Sequence, residues 1–252
     1  ETEEEDDIEP EKLYHYFNGN RLYTSGDFNA AVDEYTLAIQ KGDNVIESHY
    51  ERALSFLKLR KFESAVHDFT EALPIEGEIP DFNKNYADAL LGAKKYNEAS
   101  VRYAKSLDKV KKKNSSEAFD IYKSRGDVYK ILGEYDKAIE DYKKLTNSNR
   151  ADLKADSHRD IGITYRAWGK IDLAIESYMT YLRLTSPVRN EKGLLEAFKI
   201  CRENNKIDAG FKFLRMYCEE GGSKEALGGS IDFLGNNFAN KSRLKLFKCK
   251  EK

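Results

Sequence analysis

Four histidines and three cysteines are the side chains of this sequence that could bind a metal or act as nucleophiles. His15, His49 and His158 stand far apart, at equivalent places of a segment that recurs along the chain. Zinc sites draw on ligands that lie a few residues apart, and no second His or Cys accompanies these histidines at such a spacing. We therefore interpret them as large, flat side chains that pack between helices, and we predict neither a metal site nor a cofactor.

The cysteines Cys201, Cys218 and Cys249 all lie in the last quarter of the sequence. An odd number without a CxxC pair does not fit a disulfide framework, so we predict a reducing, cytoplasmic compartment. The chain begins with Glu1 rather than methionine. A periplasmic or membrane-anchored protein whose N-terminal signal has been removed therefore stays open as an alternative.

Motifs of the common catalytic classes are missing from the sequence. It contains no GxxxxGK[ST] phosphate loop and no GxGxxG after a strand, and no Ser or Cys stands in a nucleophile elbow. The net charge of −2 offers no basic field for a nucleic-acid backbone. No apolar run approaches the ~18 residues that would cross a bilayer. The sequence thus predicts a protein that is neither an enzyme nor a nucleic-acid-binding protein.

A segment of about 34 residues recurs along the chain, and its copies keep the same phase. One small residue recurs at Gly19, Ala53, Ala87, Gly126 and Gly162. A second recurs at Ala31, Ala65, Ala99, Ala138 and Ala174. Four residues after it, each copy has an aromatic ring, at Tyr35, Phe69, Tyr103, Tyr142 and Tyr178. Small residues in register allow two helices to approach closely, so the pattern predicts stacked helix pairs.

This pattern resembles the tetratricopeptide-repeat (TPR) family, whose unit is a helix, a turn and a helix. The resemblance implies an all-α fold, a right-handed α-solenoid of stacked antiparallel helix pairs. Five repeats within residues 12–186 are expected at about 12–45, 46–79, 80–113, 119–152 and 155–188. A degenerate sixth repeat, with Gly210 in the alanine place and Phe198 in the place of a small residue, is expected at 191–220. An acidic flexible tail is expected at 1–11, and a capping region with a basic tail at 223–252.

Members of the family bind proteins or peptides in a concave groove lined by the first helix of each repeat. Carried onto this chain, the resemblance implies a groove that is apolar and aromatic at one end and charged at the other. The apolar group comprises Leu13, Tyr16, Asn20, Tyr23, Tyr50, Leu54 and Leu57. The charged group comprises Lys84, Asp88, Lys123, Asp127, Lys130, Arg159 and Arg166. We expect the tyrosines to be exposed anchors, whereas the charges alternatively serve only to keep helix faces soluble.

Some members of the family hold the carboxylate tail of heat-shock chaperones with Lys, Asn and Arg side chains. The matching places here are Tyr16, Asn20, Glu51, Asp81 and Asn85. Only Asn20 agrees with the family, and the carboxylates of Glu51 and Asp81 would repel a carboxylate ligand. We therefore predict that this chain does not bind chaperone tails.

The sequence predicts a scaffold or adaptor that binds another protein, or an extended or helical peptide, and that has no small-molecule substrate. Two alternatives remain open. One is a self-associating or membrane-complex assembly factor, as bacterial TPR lipoproteins can be. The other is regulatory binding through the basic carboxyl-terminal segment KSRLKLFKCKEK, which could contact an acidic partner or a membrane surface.

Overall fold

The structure, a computed structural model, describes residues 14–236, 238–247 and 249. All regular structure among these residues is helical, which confirms the predicted all-α class. Contacts divide the chain into two compact units, Glu1–Lys113 and Asn114–Lys252, called here the amino-terminal and the carboxyl-terminal unit. The expected acidic tail at 1–11 lies outside the described residues, and so does Leu13 of the expected groove.

The amino-terminal unit consists of consecutive helices joined by short turns. Its helices are α1 (Tyr14–Ser25), α2 (Phe28–Lys41), α3 (Val45–Lys58), α4 (Phe62–Glu71), α5 (Phe82–Gly92) and α6 (Tyr96–Lys109), with a 3-10 turn at Leu73–Ile75. Each helix packs against the one that follows it in the sequence. The first helices of neighbouring pairs, α1 with α3 and α3 with α5, are also in contact. Such nearest-neighbour packing is typical of repeat proteins.

The two ends of α2 illustrate how the local sequence sets a helix. At its start, the side chain of Asp27 accepts a hydrogen bond from the backbone N–H of Ala30 at 3.1 Å, which satisfies one of the free donors of the first turn. At its end, Gly42 has a φ of 74°, a left-handed conformation that glycine adopts without steric cost. The spacing of these two residues therefore fixes the length of α2.

The small residues in the repeated pattern lie against the aromatic rings in the same pattern. A methyl group added to Gly19 of α1 would lie 2.5 Å from Cε1 of Tyr35 on α2. In the other unit, a methyl group on Gly126 would lie 2.8 Å from Cε1 of Tyr142. Both tyrosine rings are fully buried. The phase of the repeat thus reflects one recurring contact, in which a buried ring needs the space that a glycine leaves.

The carboxyl-terminal unit begins with three helix pairs and ends with a cap. Its helices are α7 (Ser116–Leu132), α8 (Tyr135–Leu145), α9 (Ala151–Ala167), α10 (Ile171–Thr185), α11 (Glu191–Glu203), α12 (Ile207–Glu219), α13 (Lys224–Leu227) and α14 (Phe238–Leu246), with a 3-10 segment at Gly228–Gly235. Helices α7 and α9 each have 17 residues. None of the helices in the described parts of the chain combines the length and the apolar character that crossing a membrane requires.

The 3-10 segment at Gly228–Gly235 packs onto the last helix pair. A methyl group on Gly210 of α12 would lie 2.5 Å from Cδ2 of Leu234, so the glycine makes room for that side chain. Phe198 of α11 is buried, with its ring centroid 6.4 Å from that of Phe213 and 6.2 Å from that of Phe233. The large ring that departs from the repeat pattern therefore fills the space between α12 and the cap.

Two of the three cysteines are bonded to each other, contrary to the prediction from their number. Cys218 at the end of α12 forms a disulfide with Cys249, 31 residues later. Helix α14 also contacts α12, because the guanidinium of Arg243 lies 3.9 Å from the ring centroid of Phe211 and 2.7 Å from Asp208. Cys201 is free and buried, and burial raises the pKa of its thiol to about 12. The cysteine count therefore no longer supports a reducing compartment.

Candidate functional site

Tyr16, Asn20 and Tyr23 lie on one side of α1, because residues four and three positions apart share a helix face. Both tyrosines are half-buried. The ring centroid of Tyr16 lies 6.3 Å from that of Tyr35, and the Oδ1 atom of Asn20 accepts a hydrogen bond from the Tyr35 hydroxyl at 2.8 Å. The ring of Tyr23 packs edge-on against Phe28 at 5.3 Å. These contacts hold two partly exposed rings in fixed positions on the surface of α1.

Glu51, Leu54 and Leu57 of α3 are half-buried, and α3 packs against α1. Burial raises the pKa of Glu51. The pKa values of Tyr16 and Tyr23 are raised first by burial of their own rings and further by the charge of Glu51. The Glu51 carboxylate is therefore close to both rings of α1. Together, Tyr16, Asn20, Tyr23, Glu51, Leu54 and Leu57 form what we call the aromatic face.

Tyr50 was expected as an exposed anchor, and this expectation is wrong. Its side chain is only 6% exposed, because its ring stacks on Phe82 at 5.5 Å and meets the edge of Phe69 at 5.8 Å. Its hydroxyl accepts a hydrogen bond from Asn85 of α5 at 3.1 Å. Tyr50 belongs to the core between α3, α4 and α5.

Lys84 and Asp88 of α5 form an ion pair of 3.0 Å. Asp88 also accepts a hydrogen bond from the hydroxyl of Tyr103 at 2.5 Å. These two charges of the predicted groove thus compensate each other within the amino-terminal unit. By contrast, the Glu51 carboxylate has neither an ion pair nor a hydrogen bond within residues 14–113.

The charges predicted for the groove in the carboxyl-terminal unit form a network of their own. Lys123 lies 2.6 Å from Asp127 and 3.3 Å from Asp160, and Lys130 lies 3.0 Å from Asp127. Asp127 also accepts a hydrogen bond from the Tyr142 hydroxyl at 2.7 Å. Burial alone would raise the pKa of Asp127, but the hydrogen bonds from Lys123 and Tyr142 hold it below its usual value. Each of these charges is already satisfied within the unit.

Arg159 and Arg166, the last residues of the predicted groove, also have partners in the carboxyl-terminal unit. Arg166 forms an ion pair of 2.6 Å with Glu203 of α11. Arg159 lies 3.8 Å from Asp156, and its guanidinium lies 5.9 Å from the ring centroid of Tyr181. Both arginines therefore connect neighbouring parts of this unit.

Two of the histidines have a polar role that the sequence interpretation did not include. Nδ1 of His15 lies 2.7 Å from Glu34, and Nδ1 of His49 lies 3.0 Å from Asp68. Each pair joins the first helix of a repeat to its second helix. Within the described residues, no three His, Cys, Asp or Glu side chains are grouped closely enough to hold a metal ion.

Comparison with known proteins finds a family model that matches one of the repeats. The sequence model of the tetratricopeptide repeat matches residues 119–152, the range that the spacing predicts for the fourth repeat. Residues 119–152 therefore match a tetratricopeptide repeat. It is 30% identical over 93 residues to the small glutamine-rich tetratricopeptide repeat-containing protein 2 of Mycosarcoma maydis, which is 36% of this chain and 26% of that protein. The match thus spans much less than two thirds of this curated relative.

Several solved structures have the same fold. The C-terminal part of a TPR repeat-containing protein from Cytophaga hutchinsonii aligns with a TM-score of 0.67 at 16% identity, over 91% of this chain and 90% of that one. MamA aligns with a TM-score of 0.60 at 19% identity, over 72% of this chain and 94% of that one. YrrB, described as a TPR protein with an unusual peptide-binding site, aligns with a TM-score of 0.58 at 16% identity, over 68% of this chain and 84% of that one. At these identities the similarity shows the fold alone.

Proposed function

We propose that this TPR protein is a non-enzymatic adaptor whose aromatic face binds an extended or helical peptide segment of another protein. The observation that carries the proposal is the pair of half-buried rings, Tyr16 and Tyr23, held side by side on α1. Fixed aromatic rings with one exposed edge bury much apolar area at little entropic cost. A peptide-binding site is also described for YrrB, which has the same fold.

The charged residues of the predicted groove contribute less to this proposal. Lys123, Asp127 and Lys130 are paired with one another, and a ligand would have to break these pairs in order to use them. Lys84 and Asp88 form a similar pair beside the aromatic face. We therefore propose that specificity lies in the amino-terminal unit, and that the charges of the carboxyl-terminal unit stabilise its helix pairs.

Selection of peptides from a random twelve-residue phage library on the full chain tests this proposal. We expect enriched sequences, and we expect the Tyr16→Ala/Tyr23→Ala variant to bind a selected peptide at least tenfold more weakly, because each anchor ring contributes about 1–2 kcal/mol. The control is Tyr14→Ala, since Tyr14 lies on the same helix, is 61% exposed and lies outside the aromatic face. Equal affinity of wild type and double variant would contradict the proposal, provided that circular dichroism shows both to be folded.

A second test concerns carboxylate-terminated ligands. We expect a synthetic acidic peptide with a free terminal carboxylate to show no micromolar binding in a calorimetric titration. Asn20 is engaged by Tyr35, and Glu51 presents a negative charge where such a ligand would need a cation. Micromolar affinity that disappears in the Asn20→Ala variant would be the contrary result.

Of the two alternative functions, binding through the basic carboxyl-terminal segment has less support. Arg243 of that segment is paired with Asp208 and packed on Phe211. This charge is therefore already used within the carboxyl-terminal unit.

A further inference from the structure

We propose that the aromatic face recognises a cation, so that a lysine or arginine side chain of the bound peptide lies against the rings of Tyr16 and Tyr23 and pairs with the carboxylate of Glu51. This inference rests on the proposed function and names the chemistry of its ligand. A phosphorylated or acidic segment would be excluded by the same arrangement.

The first argument is the contrast between Glu51 and the other acidic side chains of the amino-terminal unit. Among the acids of this unit that are not exposed, Glu34 is paired with His15, Asp68 with Arg52, Glu76 with Arg102, and Asp88 with Lys84. Glu51 is as withdrawn from water as several of these, but no cation of residues 14–113 reaches it. A carboxylate in such a place usually has a partner, because partial burial without one is unfavourable. The partner is then expected to come from a ligand.

The second argument is the electrostatic field around Tyr16. After burial of its own ring, the charges that raise the pKa of Tyr16 are those of Glu51, Glu47 and Asp43, all of them acidic. One oxygen of Asp43 accepts a hydrogen bond from the backbone N–H of Tyr16 at 3.2 Å, and the other is buried without a hydrogen-bond partner among the described residues. This side of α1 therefore has a negative potential that attracts a cation and repels a carboxylate.

The third argument is the combination of a carboxylate with aromatic rings. A lysine ammonium or an arginine guanidinium is attracted to the face of a tyrosine ring, and it gains a charge-assisted hydrogen bond from a nearby carboxylate. Leu54, one helical turn after Glu51, offers apolar surface to the methylene groups of the same side chain. The residues of the aromatic face thus match every part of a long cationic side chain.

The random peptide library described above tests this inference. We expect the selected peptides to be enriched in lysine or arginine and depleted of aspartate and glutamate. Replacing the selected cation by norleucine should weaken binding to the wild type roughly tenfold to a hundredfold. The same replacement should have little effect on binding to Glu51→Gln, because the two partners form one interaction and a double-mutant cycle isolates it.

The matched control is Glu63→Gln, which removes the same charge from an exposed position on α4 and should leave the affinity unchanged. Glu51→Gln should also raise the midpoint of thermal unfolding. A carboxyl group whose pKa is raised by folding opposes folding when it is ionised, and Gln removes that charge. Weaker binding together with higher stability distinguishes a ligand-binding carboxylate from one that supports the fold.

The possible outcomes separate the two proposals. A library without any enriched peptide would overturn the proposed function itself. Enriched neutral peptides whose binding depends on Tyr16 and Tyr23 but not on Glu51 would overturn only the present inference.

Discussion

Replacing Phe82 with alanine is expected to lower the free energy of unfolding by about 3–5 kcal/mol. Phe82 is fully buried, and its ring centroid lies 5.5 Å from that of Tyr50, 5.8 Å from that of Phe69 and 6.3 Å from that of Tyr86. Truncation leaves a cavity among three rings on three different helices. Because large rings cannot move independently into such a space, little of the lost contact area can be recovered.

Urea unfolding followed by far-ultraviolet circular dichroism measures this effect. The control is Phe17→Ala, which removes the same ring from a site that is 58% exposed and should change stability by less than about 0.5 kcal/mol. A loss below about 1 kcal/mol for Phe82→Ala would mean that the four rings do not form the core of the amino-terminal unit. The same variant should weaken peptide binding, because Phe82 stacks on Tyr50, which directly precedes Glu51 of the aromatic face on α3.

The positions of the helix pairs are the part of the structure that the sequence predicts well. The recurring small and aromatic residues predict the helix pairs because they form the same contact in each repeat, as Gly19 and Tyr35 do in the first one. The contact needs a small residue, glycine or alanine, at one position and a ring at another. Such a requirement produces a periodic pattern in the sequence. This pattern can be recognised without knowing which distant residues are in contact.

The exposure of individual rings was harder to predict. Tyr16 and Tyr50 occupy the same place in consecutive repeats, but the first is half-buried and the second is nearly covered. The difference arises from Phe82 in the following repeat, which stacks on Tyr50. A repeat pattern averages over its copies, and it therefore does not show which neighbour covers a given ring.

The ion pairs could be predicted only in part from the sequence, for a related reason. Lys123 and Asp127 could be recognised as one helix-face pair, since they are four residues apart. The contact of Lys123 with Asp160 joins two repeats and depends on how far apart their helices lie. From the sequence, Glu51 is predicted only to repel a carboxylate ligand. The structure shows which acids of the amino-terminal unit have partners, and Glu51 has none within residues 14–113.

The carboxyl-terminal unit offers a second large effect, at a buried ion pair. Asp141 of α8 is 3% exposed, and its two oxygens accept hydrogen bonds from Nε and Nη2 of Arg125 at 2.8 and 2.7 Å. Burial raises the pKa of Asp141 even though the guanidinium opposes that change. Desolvation of the carboxylate is therefore not fully offset, and the pair is held together by the surrounding helices.

Asp141→Ala should lower the free energy of unfolding by about 3–5 kcal/mol, because it leaves the guanidinium of Arg125 partly buried without an acceptor. The fluorescence of Trp168 during urea unfolding measures the change, since it is the only tryptophan of the chain and lies in this unit, with its ring centroid 6.4 Å from that of Tyr165. The control is Glu140→Ala, whose side chain on the same helix is 73% exposed; it should change stability by less than about 0.5 kcal/mol.

Replacing both partners of this pair, as in Arg125→Met/Asp141→Leu, should restore most of the stability that Asp141→Ala loses. Apolar side chains of similar volume require no desolvation of charge, and buried pairs replaced in this way often lose nothing. If the double variant is instead as unstable as Asp141→Ala, the pair contributes a favourable interaction that packing cannot replace. The comparison decides between two roles of the ion pair. Either the pair stabilises the helix pairs more than apolar side chains would, or each charge is needed only because the other would otherwise be buried without a partner.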